Sequence, residues 1–442
     1  MNLMHRFLLL YGFLLCLCCL STSTLAQQRQ AIVHWHDEAR RIPQARYSIL
    51  DGDSSRIDGD YQLYYPDGKL QLKGEYHDGS REGIFLSYYP DGTVSRELPF
   101  ANDLRHGKVK VYDQDGTLVQ EALYENDTIT GEMVVYYADG AVMKRTQFEG
   151  GEPEGLVIEY YEDGTVKEEL PYHDGLLQGQ NKTYYPGGEL KSDGTFSKGV
   201  LNGSLITYYP SGQVKTQTQL SAGDKNGAFV NYYADGTVAL EGSYVNDKLH
   251  GPNKAFYPDG KLRHEFTYVN GMRDGLNLIY FADGSVQERL KLSDQERSRD
   301  IVRYYENGEK ESEERWRDGR PQGDWQSWYD NGQIKMVTPH SNGLITGTRK
   351  HYRPDGSLEM TEELKNNIRY GLVTTYHPDG KVASTTTYEK NRKHGLYEAY
   401  DAEGNLTERG RYIADMKHGE WLRFNPEGEI IETRLFDKGK EL

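Results

Sequence analysis

Cysteine is almost missing from this chain: three residues in 442, Cys16, Cys18 and Cys19, all near the start. Long apolar runs are missing too, apart from Phe7 to Leu20. Basic residues are outnumbered, 52 Lys+Arg against 68 Asp+Glu, which leaves a formal net charge of −16. An acidic chain lacks the cationic surface that displaces counterions from nucleic acid or from an anionic bilayer, so nonspecific nucleic-acid binding is excluded. Hydrophobic residues make up 36% of the sequence. That is thin for the separate cores a chain of this length would ordinarily build.

The one apolar run is bracketed by His5 and Arg6 on one side and Thr24-Leu25-Ala26 on the other. This is the layout of a secretory signal peptide, and its 14 apolar residues are too few to span a bilayer comfortably. Cleavage after Ala26 removes every cysteine, so residues 1–26 are expected to leave a thiol-free mature chain without disulfides or thiolate metal ligands. A lipoprotein reading is disfavoured, because no cysteine follows a small residue. The predicted location is the periplasm, the outer envelope or outside the cell.

What the chain has in plenty is glycine, 48 residues, and tyrosine, 35. A glycine after a turn-type residue recurs at Gly68, Gly92, Gly116 and onward to Gly428, always 24 residues apart. Counting units from Gly59 gives sixteen copies over residues 59–442, after a leader at 27–58 that we read as a cap. Position 1 of the unit is Gly in fifteen copies, with Arg299 the exception. Position 12 is aliphatic in fifteen, with Lys310 the exception. Position 6 is aromatic throughout: Tyr64, Tyr88, Tyr112, Tyr136, Tyr160, Tyr184, Tyr208, Tyr232, Phe256, Tyr280, Tyr304, Trp328, Tyr352, Tyr376, Tyr400 and Phe424. Position 18 is aromatic in twelve.

Positions 6, 12 and 18 share parity, and side chains alternate faces along a strand, so each unit reads as a hairpin with position 6 as the core ring. One turn is Tyr64-Tyr65-Pro66-Asp67-Gly68; the other uses pairs such as Asp78-Gly79 or Asn246-Asp247. A single hairpin cannot bury its apolar face, so the units must stack. The expected fold is all-β: an elongated, twisted antiparallel sheet or solenoid of stacked β-hairpins. Residues 299–322 break the pattern at both Arg299 and Lys310, and a weak unit there is expected to act as a joint.

The pattern G-x-x-x-x-YYxDG, then an aliphatic, an aromatic, an Asn/Asp-Gly turn and a closing segment such as Lys248-Leu249-His250-Gly251, resembles MORN repeats. Within them it is similar to the bacterial variant found in antitoxin-like proteins. The resemblance spans residues 59–442 and implies a hairpin array used for binding or scaffolding, with phospholipid and protein assembly as the contacts linked to such repeats. A second, weaker likeness is to choline-binding repeats, which use tryptophan and a shorter period.

Candidate sites follow the repeat. Tyr65, Tyr89, Tyr137, Tyr161, Tyr185, Tyr209, Tyr233 and Tyr257 occupy position 7, opposite the core ring, and form a candidate binding row for a partner chain, a lipid surface or a cell-wall glycan. Asp67, Asp91 and their equivalents at position 9 could be a calcium ladder, but turn chemistry already explains Asp before Gly. His106, His250, His394 and His418 share position 24 and lie too far apart to hold one ion. His34-Trp35-His36-Asp37-Glu38 supplies two imidazoles on one strand face and no third ligand at fixed distance. No metal and no cofactor is expected. No nucleophile elbow or phosphate loop is present, and chemistry repeated in every copy reads as structure, so the chain is expected not to be an enzyme. The sequence thus points to an exported repeat protein that binds another protein in the envelope, antitoxin- or immunity-like. Attachment to lipid or glycan through the tyrosine rows is the rival reading.

Overall fold

Two kinds of reversal set the path of the chain. At the first, the Tyr65 N–H donates to the Lys69 carbonyl (2.8 Å) and the Gly68 N–H to the Tyr65 carbonyl (2.9 Å). Asp67 accepts the Lys69 N–H at 3.1 Å, and Gly68 sits at φ +84°, where only glycine is free of a Cβ clash. At the second, two successive residues take positive φ: Asp78 and Gly79 at 47° and 89°, Asn246 and Asp247 at 49° and 63°. That twist matches the strands it joins, and it selects Asn, Asp and Gly.

The computed structural model describes residues 27–442; the export-signal reading of residues 1–26 falls outside the described residues. Every regular element among the described residues is a β-strand, and neighbouring strands pair antiparallel. The chain divides into two compact units, Met1–Gly164 and Thr165–Leu442.

The first unit begins with β1 (Arg29–Trp35), β2 (Pro43–Leu50) and β3 (Asp53–Ile57), followed by the first repeat strands β4 (Gly59–Tyr64) and β5 (Leu70–His77). β2 pairs with β4 through Ala45↔Leu63 and Arg46↔Gln62, so the leader adds strands to the first hairpin. Asp58, 4% exposed, ties this junction by accepting the Asp78 N–H (3.1 Å) and pairing with Arg29 (2.6 Å). A ladder of rings runs His34, Tyr47, Tyr61, Tyr76, Phe85, Phe100, with successive centroids 5.2–5.7 Å apart.

That ladder does not contain position 6. Within a hairpin, positions 1, 3 and 5 oppose 18, 16 and 14, as in Gly59↔Tyr76, Tyr61↔Gly74 and Leu63↔Leu72. Opposed residues share a face, and this face holds the deepest side chains: Phe85, Val109 and Val157 at position 3, Ala122 at position 16, Phe100 at position 18. The sixteen position-6 rings, from Tyr64 and Tyr88 to Tyr400 and Phe424, are half-buried. The register slips between Leu63 and Tyr64, and parity counted along the sequence does not survive a bulge. Position 6 therefore lies on the opposite face, beside position 15; the Tyr112 hydroxyl donates to Glu97 there at 2.8 Å.

The second unit repeats the scheme, with Phe229, Ile301, Val373 and Trp421 buried at position 3 and Leu292 and Leu364 at position 18. Large rings are matched by absent side chains: a Cβ on Gly410 would run into the Trp421 ring, and one on Gly242 would meet Phe229. Where position 3 is Asn277, 1% exposed, its amide replaces a strand contact, accepting the Thr267 N–H (3.2 Å) and donating to the Gly275 carbonyl (3.1 Å).

Arg299 marks a local rebuild. In other copies the position-1 glycine takes positive φ, as Gly275 does at 66° and Gly323 at 73°. An arginine does not adopt that conformation readily. Here strands Val286–Ser293 and Ser298–Tyr304 pair in one unbroken register from Glu288↔Arg303 to Ser293↔Ser298. The surplus length moves into the turn, where Asp294, Gln295 and Glu296 all take positive φ. The sequence break is thus a relocated bulge within a fully paired hairpin.

Candidate interaction surface

The position-7 tyrosines are held in place by their own hydroxyls. Tyr65 donates to the Tyr88 carbonyl (2.7 Å), Tyr89 to Tyr112 (2.8 Å), Tyr137 to Tyr160 (2.7 Å), Tyr185 to Tyr208 (2.8 Å), Tyr209 to Tyr232 (2.8 Å), Tyr233 to Phe256 (2.8 Å) and Tyr257 to Tyr280 (3.1 Å). Each bond joins position 7 of one copy to the position-6 backbone of the next. Tyr305 and Tyr329 do the same. Where the residue changes, the bond survives: Arg353 donates to the Tyr376 carbonyl, and His377 Nε2 lies 2.9 Å from the Tyr400 carbonyl. In the leader, His36 Nε2 reaches the Tyr64 carbonyl at 2.9 Å in the same way. These rings are half-buried, Tyr161 included, so the row is first of all a set of clips between copies.

The position-9 carboxylates are turn caps. Asp91, Asp235, Asp283, Asp355 and Asp379 each accept the backbone N–H two residues on, at 2.8–3.0 Å. For Asp91 and Asp235 that bond is the main reason the carboxyl stays below its ordinary range. The leader histidines are likewise engaged, His34 with the Tyr47 ring and hydroxyl (2.9 Å) and His36 with the clip.

Exposure lies elsewhere, at the rim formed by the second turns. Position 22, which flanks that turn, carries Leu104 in the first unit and Leu176, Val200, Met272, Leu344, Ile368 and Met416 in the second, 38–48% exposed. Position 19 directly opposes it, as in Val269↔Met272 and Ile413↔Met416, and adds Val245, Val269 and Ile413. Position 23 supplies cations beside this rim: Arg81 lies 4.0 Å from the centre of the Phe100 ring and Arg105 4.2 Å from that of Tyr124, each also bonded to a turn aspartate. These cations hold their own turns in the first unit, whereas beside Leu176, Val200 and Leu344 position 23 is aliphatic, as Leu177, Leu201 and Ile345.

One stretch departs from the consensus on the buried face. Glu362, at position 16, is 1% exposed and is surrounded by Arg349 (3.2 Å), His351 (3.2 Å) and Arg369. Burial pushes its carboxyl up, but the bonds from Arg369 and His351 and the charges of Arg369 and Arg349 outweigh it, so the group stays below its ordinary value. Reading position by position across the copies exposes this anomaly: Arg349 is the one charged residue at position 3, and Glu314 and Glu362 are the only carboxylates at position 16. The pattern-breaking residues 299 and 310 lie in the copy that holds Glu314, two copies before that of Glu362.

Nine segments match the family described as MORN repeat variant: residues 57–78, 81–102, 105–126, 153–174, 177–198, 225–246, 249–270, 321–342 and 369–390. No curated protein matches the chain. Among solved structures, the chain is similar to TcdB2-TccC3 without its hypervariable C-terminal region, at 11% identity over 89% of this chain and 31% of that one, TM-score 0.15. It is also similar to the Tc holotoxin pore of Photorhabdus luminescens, at 11% identity over 90% and 30%, TM-score 0.12. The chain spans about a third of the length of these proteins, and at such scores the likeness carries no argument.

Proposed function

Because the chain is built of MORN repeats of the variant type, we propose that it is an exported, non-enzymatic scaffold that binds another protein in the cell envelope, in an antitoxin- or immunity-like manner. The observation that carries this reading is the exposed aliphatic rim at the second turns. Exposed apolar side chains in small groups, such as Leu176 with Val200 and Leu344 with Ile368, separated by charged residues, are a feature of protein-binding surfaces, and many modest contacts along an array add through avidity. The tyrosine rows favour no lipid or glycan attachment, since their hydroxyls are already bonded to backbone. Repetition of the clip and the turn in copy after copy supports a structural role and no reaction.

The test uses residues 27–442 with Leu176, Met272, Leu344 and Met416 changed together to Gln. Unfolding should be nearly unchanged, while capture of a specific envelope protein by the immobilised chain should be lost. Co-sedimentation with liposomes or purified cell wall that survives high salt, with no captured protein, overturns the reading.

A further inference from the structure

Positions 2, 17, 19, 22 and 24 share the face opposite the core, as the opposed pairs Leu396↔Arg411, Arg411↔His418 and Ile413↔Met416 require. Near the second turns this face is partly apolar in both units, but the charge around the apolar groups changes sign. In the second unit, three successive copies present Ile368, Tyr370, Leu372, Leu396, Ile413 and Met416 there, 39–53% exposed. The turns beside them, residues 363–370, 387–394 and 411–418, hold seven Lys+Arg against three Asp+Glu. Arg369, Lys393 and Lys417 lie over rings of the core face. Lys365, Lys390, Arg392 and Arg411 are exposed and have no ion-pair partner among the described residues.

The first unit carries the opposite sign. Ile84, Leu104, Leu123 and Leu156 are exposed on its face, and the turns at residues 75–82, 99–106, 123–130 and 147–154 hold nine Asp+Glu against two Lys+Arg. Those two cations, Arg81 and Arg105, are already bonded to Asp103 and Asp127. Carboxylates even oppose each other directly across strands, Glu75↔Glu82 and Glu149↔Glu152. Like charges so placed are unfavourable, and a cation brought from outside relieves them.

We infer that the two surfaces dock on each other between copies of this chain, the acidic rim of one molecule on the basic rim of another. Exposed apolar groups supply the contact, and the opposite charges steer and register it. Pitch favours a second copy over a partner of another fold. On both rims the groups recur once per hairpin, every two strand spacings or about 10 Å, so a second array meets them in step. Contacts between rims of the same sign are repelled, which makes the interface heterologous. This inference goes beyond the partner-binding reading and does not rest on it, because Leu176, Val200 and Met272 lie outside both surfaces.

The experiment follows residues 27–442 by sedimentation velocity over a range of concentrations, with no partner protein present. The mean mass should rise with concentration, and the affinity should fall on the order of tenfold between about 0.01 M and about 0.15 M salt. Lys365→Glu with Arg411→Glu, and separately Glu149→Lys with Glu152→Lys, should each leave a monomer that unfolds at nearly the parent's midpoint. Mixed in equal amounts, the two variants should associate again, because the unaltered acidic rim of one meets the unaltered basic rim of the other. Tyr370→Ser should weaken association about tenfold. A chain that stays monomeric at every concentration, association indifferent to salt and to both pairs of substitutions, or variants that do not recover on mixing, overturns the inference. So does a monomer whose basic rim binds phosphatidylglycerol vesicles instead.

Discussion

The Tyr209 hydroxyl donates to the backbone carbonyl of Tyr232 at 2.8 Å, bridging two copies across 23 residues of sequence. Removing the hydroxyl leaves the ring in place and the carbonyl short of one partner. Tyr209→Phe should cost about 0.5–1 kcal/mol in urea unfolding, because the site is half-buried and water can partly replace the bond. Tyr209→His should recover part of this loss, as His377 makes the equivalent contact with Tyr400 at 2.9 Å.

Gly410→Ala tests the ring-for-glycine exchange. The added methyl meets the Trp421 ring, which is 2% exposed and has little room to move. Overpacking of this kind should cost roughly 1–3 kcal/mol. Combining it with Trp421→Leu should give less than the sum of the two single costs, since the smaller side chain removes the clash.

Glu362 makes stability depend on acid. Its folded-state pKa lies below the ordinary carboxyl value of 4.5, so the stabilisation is complete above that value and is lost as pH falls through the folded pKa. Glu362→Gln strands Arg349 and Arg369 and should cost on the order of 2–3 kcal/mol at neutral pH, less than for a wholly buried pair because the Arg369 side chain is 40% exposed. The gap between variant and parent should narrow in unfolding curves measured below pH 4.5.

Hydrogen exchange across Val286–Tyr304 distinguishes a relocated bulge from a joint. The unbroken ladder from Glu288↔Arg303 to Ser293↔Ser298 predicts protection comparable to neighbouring hairpins, with fast exchange confined to the turn around residues 294–297. Uniform fast exchange through Arg289 and Val302 would show instead that the hairpin opens.

Much of the fold was legible because its turns depend on backbone chemistry that few residues can supply. Gly68 and the Asn246-Asp247 pair announce where the chain reverses, and their 24-residue spacing gives the hairpin. The buried face was misread for a specific reason. Counting alternation from Tyr64 assumes an uninterrupted strand, whereas the register slips beside it and passes the core to Tyr61, Gly74 and Tyr76. The tyrosine row was visible as a row, but the partner of each hydroxyl is a carbonyl, and carbonyls carry no mark in a sequence.

The clip has one more consequence. Its acceptor is main chain, so a tyrosine is indifferent to which side chain the following copy places at position 6, and Tyr233 accepts a phenylalanine neighbour as readily as Tyr209 accepts a tyrosine. Whole copies can therefore be gained or lost by recombination without any matched pair having to change together, which makes the length of such a protein easy to vary over generations while its joinery stays the same.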